Sequence, residues 1–274
     1  MTERILLTGA AGGVGTLMRT RLARPGRTLR LLDIADLPPA ADGEAVELVR
    51  ASVTDLDAME RACEGVDAIL HLGGHSLEAS WKDILDVNIN GTYTVFEAAR
   101  RQGVQRVIFA SSNHAVGYVP RTVGEVGDYA FPRPDTNYGV GKVAGEAIGS
   151  HYADRYGLDV ISIRIGSCFE KPRDTRMLST WLSPDDGARL FEACLSTPKP
   201  GYRVVWGVSN NTRGWFSLAE AKAIGYVSQD DSEVFAAELI AEHGEPQLDQ
   251  DPHRLVGGAW CGPDMDTARK EAGR

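Results

Sequence analysis

Tyr138 and Lys142 stand four residues apart in Tyr138-Gly-Val-Gly-Lys142. That spacing puts a phenol and an ammonium on one face of a helix, about one turn from each other. A free phenol titrates near pH 10 and is a poor base at neutral pH, but a nearby positive charge favours the phenolate. Such a pair can take a proton from a substrate hydroxyl. Tyrosine and lysine are also ordinary on amphipathic helices, so the spacing gains chemical meaning only from its position after an apolar strand. That strand, Arg106-Val-Ile-Phe-Ala110, runs into Ser111-Ser112-Asn113-His114. It delivers hydroxyls, an amide and an imidazole to the carboxyl edge of a sheet, where open α/β folds bind their ligands.

A second cluster opens the chain. The run Arg4 to Thr8 leads into Gly9-Ala-Ala-Gly12-Gly13-Val14-Gly15. Glycines at a strand-to-helix turn let backbone amides approach a pyrophosphate at the positive end of the helix dipole. The next strand ends in Asp33, 18 residues past Gly15. A carboxylate there accepts the adenosine ribose hydroxyls and repels a 2′-phosphate, which favours NAD over NADP. Asp55 has two readings, contact with the adenine amino group or the cap of a following helix.

The elements that hold these residues alternate in the manner of a parallel sheet covered by helices. Expected strands are Arg4–Thr8, Leu29–Asp33, Ala45–Val49, Ala68–Leu72, Arg106–Ala110 and Val160–Arg164, with Arg203–Trp206 extending the sheet. Expected helices are Val14–Ala23, Leu56–Cys63, Trp81–Arg101 and Tyr138–Tyr156. After Ile165 the rhythm breaks. A capped helix opens at Ser183-Pro184, a last amphipathic helix runs from Asp231 to about His243, and a Pro-, Gly- and charge-rich tail follows, expected to order only against a neighbour.

The 274 residues suffice for a core that needs no disulfide or metal. With 43% hydrophobic and 24% charged residues the composition is that of a packed globular protein. A net charge of -9 argues against a nucleic-acid partner. Cys63, Cys168, Cys194 and Cys261 are scattered, as in a reducing cytoplasm. No apolar run is long enough for a signal peptide or a membrane span, and no metal ligands cluster.

Thr8-Gly-Ala-Ala-Gly12-Gly-Val-Gly15, Asp33, Asp67-Ala-Ile-Leu-His-Leu-Gly73-Gly74, Asn88-Ile-Asn-Gly91-Thr92, Ser111-Ser112 and Tyr138-x-x-x-Lys142 together resemble one family. It is the extended, sugar-nucleotide-epimerase-like branch of the short-chain dehydrogenase/reductases, and the likeness covers Ile5 to about Tyr226. The resemblance implies an α/β fold, a Rossmann-type doubly wound parallel sheet with a small C-terminal substrate lobe. Residues 1–170 plus about 202–210 would form the NAD-binding core, 171–201 and 211–243 the capping lobe, and 244–274 the tail. It also implies a triad in which Tyr138 is the acid/base, Lys142 holds the nicotinamide ribose and lowers the phenol pKa, and a serine positions the reacting hydroxyl. Ser112 is assigned that role, although Ser111 and Asn113 compete for it because Ser112-Asn-His-Ala-Val-Gly-Tyr118 departs from the epimerase pattern.

The departure itself, with Ser167-Cys168-Phe-Glu170 and Arg176 downstream, is similar to the bacterial uronate dehydrogenases of this branch. That likeness implies NAD-dependent oxidation of a free uronic acid at C1 to an aldarolactone, with Arg176 as a bidentate partner for the substrate carboxylate. The cofactor contacts it implies are Gly9, Gly12, Gly13, Val14, Gly15, Asp33, Ile34, Asp55, Leu56, Leu72, Gly73, Asn88, Ser111, Tyr138, Lys142, Ile165 and, through its backbone, Cys168. The substrate contacts are Ser76, Ser112, Asn113, His114, Tyr138, Ser167 and Arg176, with His114 as a neutral hydrogen-bonding group. A cytoplasmic homo-oligomer without membrane, nucleic-acid or metal partners completes the expectation. The competing readings are an epimerase or dehydratase that returns its hydride, and an NAD sensor, which the intact Tyr138 and Lys142 disfavour.

Overall fold

Ile5, Leu6 and Leu7 are consecutive apolar residues with no solvent exposure, the pattern of a strand covered on both faces. In the computed structural model, which describes residues 3–250 and 252–265, they lie in the middle of a seven-stranded parallel sheet. The strands are β1 (Glu3–Thr8), β2 (Arg27–Asp33), β3 (Val46–Arg50), β4 (Ala68–His71), β5 (Arg106–Ser112), β6 (Asp159–Ile165) and β9 (Tyr202–Gly207). Two short strands, β7 (Ser167–Cys168) and β8 (Trp181–Leu182), pair separately. The order in the sheet is β3-β2-β1-β4-β5-β6-β9. The chain winds outward from β1 to β3 and then returns to β4, so a crevice opens above the carboxyl ends of β1 and β4, the switch point of a doubly wound sheet.

The helices are α1 (Gly13–Arg21), α2 (Leu56–Cys63), α3 (Trp81–Asp83), α4 (Gly91–Gln102), α5 (Asn137–Tyr156), α6 (Met177–Thr180), α7 (Pro184–Ser196), α8 (Ala219–Ala223) and α9 (Ala236–His243). The continuous helix expected over Trp81–Arg101 is interrupted by a π-helical stretch, Ile84–Asn90. Its wide turn carries Asn88, whose amide is bound to the backbone of His75. α5 lies close against β5 because Gly145 faces Phe109: a Cβ at that position would overlap the ring. This close approach carries Tyr138 and Lys142 up to the end of β5.

The break in rhythm assigns residues 184–196 to the lobe, but α7 packs on α1 and shares the main core with β1 and β2. Arg27, whose side chain is fully buried, explains the placement, since its guanidinium bridges Glu3 at 2.7 Å and Glu192 of α7. A helix whose acids complete a buried arginine in the sheet belongs to the layer over the sheet. Leu178, Ala236 and Leu239 form a small separate core, backed by Phe235 and Ile240.

The tail does not wait for another molecule over its described part. Residues 254–257 run beside residues 117–121 as a strap, with Val256 N donating to Val119 O at 3.0 Å and Gly257 N to Gly117 O at 2.9 Å. Leu255 through Gly258 are buried. Among the described residues, no helix is long and apolar enough to cross a membrane.

Candidate active site

The turn after β1 leaves the first amides of α1 open. Gly12 caps the helix without a side-chain hydrogen bond, no acid occupies the first turn, and residues 11–13 are exposed. Such a helix start, with Gly9, Gly12, Gly13, Val14 and Gly15 around it, fits the pyrophosphate of a dinucleotide. Asp33 is fixed beside the turn, accepting from Ala11 N at 2.9 Å and from Ala35 N at 3.0 Å. Ile34 follows it with 67% exposure, a flat apolar face at the rim. These residues fit NAD, whereas the Asp55 carboxylate accepts from Ala58 N at 3.0 Å and caps α2 just before Leu56.

At the other side of the crevice, Leu72 and Gly73 follow β4, and Gly73 N donates to Thr8 Oγ1 at 3.1 Å. Asn88 holds the next turn by accepting from His75 N at 2.8 Å and donating to His75 O at 3.0 Å. Ser111 points away from the cleft: its hydroxyl donates to Glu146 Oε1 at 2.6 Å, within a buried pair that Glu146 forms with Arg164. Only its backbone is left to face a cofactor. Ile165, at the end of β6, and Cys168, in β7, are buried, and burial pushes the Cys168 thiol up to about 12.

Tyr138 is 8% exposed. Its backbone N–H donates to Glu78 Oε2 at 2.8 Å, and α5 is capped two residues earlier by Thr136, which accepts from Gly139 N at 3.1 Å. Ser112 stands close enough to the phenol to favour its ionisation. Of the three candidates for the serine role, Ser112 is thus the one beside the phenol, Ser111 being turned to Glu146 and Asn113 to the strap. Lys142 Nζ donates to Ala110 O at 2.6 Å and lies 5.4 Å from the centre of the Tyr138 ring.

The electrostatics differ from the expectation. Burial pushes the Tyr138 phenol up to about 12, and Lys142 is not among the groups that pull it down. Burial also lowers Lys142 to about 8. Desolvation penalises both charged forms, and Ser112 is the group that favours the phenolate in the cofactor-free structure.

His114 forms the wall next to the phenol. It meets the Tyr138 ring edge-on at 5.8 Å and stacks on Trp260, just past the strap, at 4.1 Å. Its Nδ1 lies 2.7 Å from Asp135 Oδ2, on a carboxylate with no solvent exposure. Burial lowers the His114 pKa, against the opposing pull of Asp135. With the ring neutral, the proton sits on Nδ1, because the carboxylate only accepts, and Nε2 is left as an acceptor.

The strap supplies what the sequence reading missed. Val256 O accepts from Asn113 Nδ2 at 3.1 Å and from an Arg176 guanidinium nitrogen at 2.5 Å. Ser112, Asn113, His114, Tyr138 and Arg176 are therefore one connected row. Ser167 stands apart, its hydroxyl 3.0 Å from that of Thr180 in a buried pair. Ser76 lies on the exposed loop after β4 that also carries Glu78 to the start of α5. Asp135, Glu78, Trp260 and the Val256 carbonyl were not found from sequence. The signals present were an acid three residues before Tyr138 and the adjacent glycines Gly257-Gly258 shortly before Trp260.

Asp135 also dictates small residues opposite it. A Cβ at Gly257 would coincide with the Asp135 carboxylate, although φ of -76° at Gly257 is one that any residue adopts. Gly257→Ala is expected to unseat the strap and destabilise the fold by about 1–3 kcal/mol, as overpacking does. Thermal unfolding checks it, and unchanged stability would mean that the strap is not anchored there.

A profile of the NAD dependent epimerase/dehydratase family matches residues 5–185. A uronate dehydrogenase of Pseudomonas syringae pv. tomato is 48% identical over 260 residues, 94% of this chain and 93% of the relative. Among solved structures, a mutant uronate dehydrogenase from Agrobacterium tumefaciens complexed with NAD superposes with a TM-score of 0.89 at 40% identity, covering 95% of this chain and 97% of the other. Glucuronic acid dehydrogenase from Chromohalobacter salexigens gives 0.91 at 41% identity, over 97% of this chain and all of the other.

Proposed function

The chain belongs to the NAD dependent epimerase/dehydratase family, and from that premise we propose that its cleft oxidises a free hexuronate, glucuronate or galacturonate, at C1 to the aldarolactone. It is an oxidoreductase and its cofactor is NAD. The observation that carries the reading is the row from Tyr138 to Arg176: a buried phenol at one end and, at the other, a guanidinium that donates to Val256 O and forms no ion pair with a described carboxylate. A neutral sugar has no use for that guanidinium, whereas a carboxylate meets it with a charge-assisted bond.

When bound, NAD supplies the hydride acceptor and a positive charge beside the phenol. The remaining work falls to the side chains. Ser112 holds the anomeric hydroxyl toward Tyr138, and the ionised phenol takes its proton as the C1 hydrogen leaves with its electron pair. Lys142 holds the nicotinamide ribose and keeps a hydrogen-bond donor under Tyr138. Asn113 and the Nε2 of His114 orient ring hydroxyls, with Ser76 and Ser167 at the periphery, and Arg176 fixes the distant carboxylate. This division of labour gives the near-attack geometry that makes the transfer effectively unimolecular.

The test adds NAD with glucuronate, galacturonate, neutral hexoses and a nucleotide sugar in separate assays and follows NADH absorbance. NADH from the uronates alone is the expected result; silence with both removes the reading, and turnover of a nucleotide sugar without net NADH favours an epimerase. Asp33 gives a second test. Asp33→Asn removes the charge that repels a 2′-phosphate. It is expected to shift the ratio of kcat/KM for NADP over NAD upward by about tenfold, the equivalent of roughly 1.4 kcal/mol. An unchanged ratio would take Asp33 out of cofactor choice.

The same reading makes the enzyme a cytoplasmic homo-oligomer. Leu85, Tyr93 and Tyr156, on the Ile84–Asn90 stretch, α4 and α5, are 37%, 51% and 46% exposed, an apolar face suited to pairing with a second copy. A molar mass in solution decides it.

A further inference from the structure

Arg176 is not the only arginine short of an anion. Of the described arginines that are not exposed, Arg4, Arg19, Arg21, Arg27, Arg30, Arg106, Arg164, Arg189, Arg203 and Arg213 each form an ion pair with a carboxylate. Arg121 and Arg176 form none with any described residue, and both line the same narrow cavity under the strap, together with His253 and the hydroxyl-bearing Ser179 and Thr180. The guanidinium of Arg121 lies 5.1 Å from the centre of the Trp215 ring, which orients it without neutralising it. Asp174 is the carboxylate whose charge acts on both Arg176 and His253. It accepts from Met177 N at 2.9 Å and makes no ion pair with either.

Shielded charges of one sign are costly to bring together unless an opposite charge joins them. Burial accordingly lowers the pKa of Arg121, Arg176 and His253, and the two arginines push that of His253 further down. The cavity measures about 10 Å³, room for one oxygen-sized atom. A carboxylate oxygen meets both the size and the charge.

Resting on the uronate reading above, we propose that Arg121 is a second cation for the substrate carboxylate, forming with Arg176 a two-arginine anion subsite at the far end of the sugar cleft. The row Ser112, Asn113, Val256 O, Arg176 connects this subsite to the phenol. The sugar ring is held from both ends, by proton transfer at C1 and by two guanidinium groups at the carboxylate. Arg121 touches neither the phenol nor Ser112 in any contact described, so it acts on binding and discrimination.

The experiment compares Arg121→Gln and Arg121→Lys with the wild type, using glucuronate and NAD. Arg121→Gln is expected to raise the KM for glucuronate by tenfold or more, with kcat and the KM for NAD within twofold. Arg121→Lys, which keeps the charge, returns the KM to within about threefold of wild type. A KM unchanged in Arg121→Gln overturns the proposal, as does a fall in kcat and thermal stability that Arg121→Lys does not rescue, the mark of a packing role against Trp215. Should Arg121→Gln fail to fold, sodium acetate decides on the wild type. Inhibition competitive with glucuronate and not with NAD is expected, and its absence overturns the subsite. Wild-type enzyme that makes no NADH from either uronate would sink the functional reading itself, an outcome separate from any of these.

Discussion

Tyr138→Phe is expected to lower turnover by about 10³-fold, within the range of a positioned general base, while leaving NAD binding within about twofold. The ring remains to pack edge-on against His114 and Trp260, so the variant removes one oxygen and little else. Calorimetric titration with NAD and NADH absorbance under saturating glucuronate separate the two effects. Turnover at more than a tenth of the wild-type rate would mean that another group takes the proton.

The pH dependence follows from the same geometry. The base must be ionised, and with the phenol pushed up to about 12 by burial, its reactive fraction grows tenfold per pH unit through the neutral range. A bound positive charge moves that titration to lower pH but keeps its sign, so kcat/KM rises with pH. Lys142, lowered to about 8, loses its charge as the pH climbs past that value, which bends the rise. In Tyr138→Phe the ascending limb is expected to vanish.

Arg176→Ala is the second large effect. Truncating one partner of a buried, charge-assisted pair costs about 2–5 kcal/mol, or roughly 30- to several thousand-fold in kcat/KM for a uronate. Any slow oxidation of a neutral hexose is expected to change less than tenfold. Because Arg176 also donates to Val256 O, thermal unfolding must accompany the kinetics. Full retention of the preference for uronates over neutral hexoses would refute the carboxylate assignment.

Much of this arrangement is legible in the sequence because its causes are local. Short apolar runs mark the strands, the glycine turn follows β1 without a gap, and Tyr138 and Lys142 need only a helix to share a face. The expected strand and helix positions agree with the structure to within a few residues. The parts that escaped have non-local causes. The wide turn at Ile84–Asn90 leaves no periodic trace. The strap holds its place through backbone carbonyls and through contacts such as Asn113 with Val256, 143 residues apart, which no pattern within a window can register. Asp135 reads as one more acid in a polar turn until His114 and Gly257 are placed around it. α7 was misassigned for a related reason, since the residue that draws it onto the sheet, Arg27, lies 165 positions from its partner Glu192.

The strap also sets an order of events as the polypeptide leaves the ribosome. The nucleotide crevice is built from segments emerging early, between β1 and β6, whereas the ceiling over the sugar arrives with Val256 and Trp260. A nick within the 244–250 stretch, all but one residue of which is exposed, would cut the covalent link between crevice and ceiling and leave Val256 and Trp260 held by hydrogen bonds and ring stacking alone.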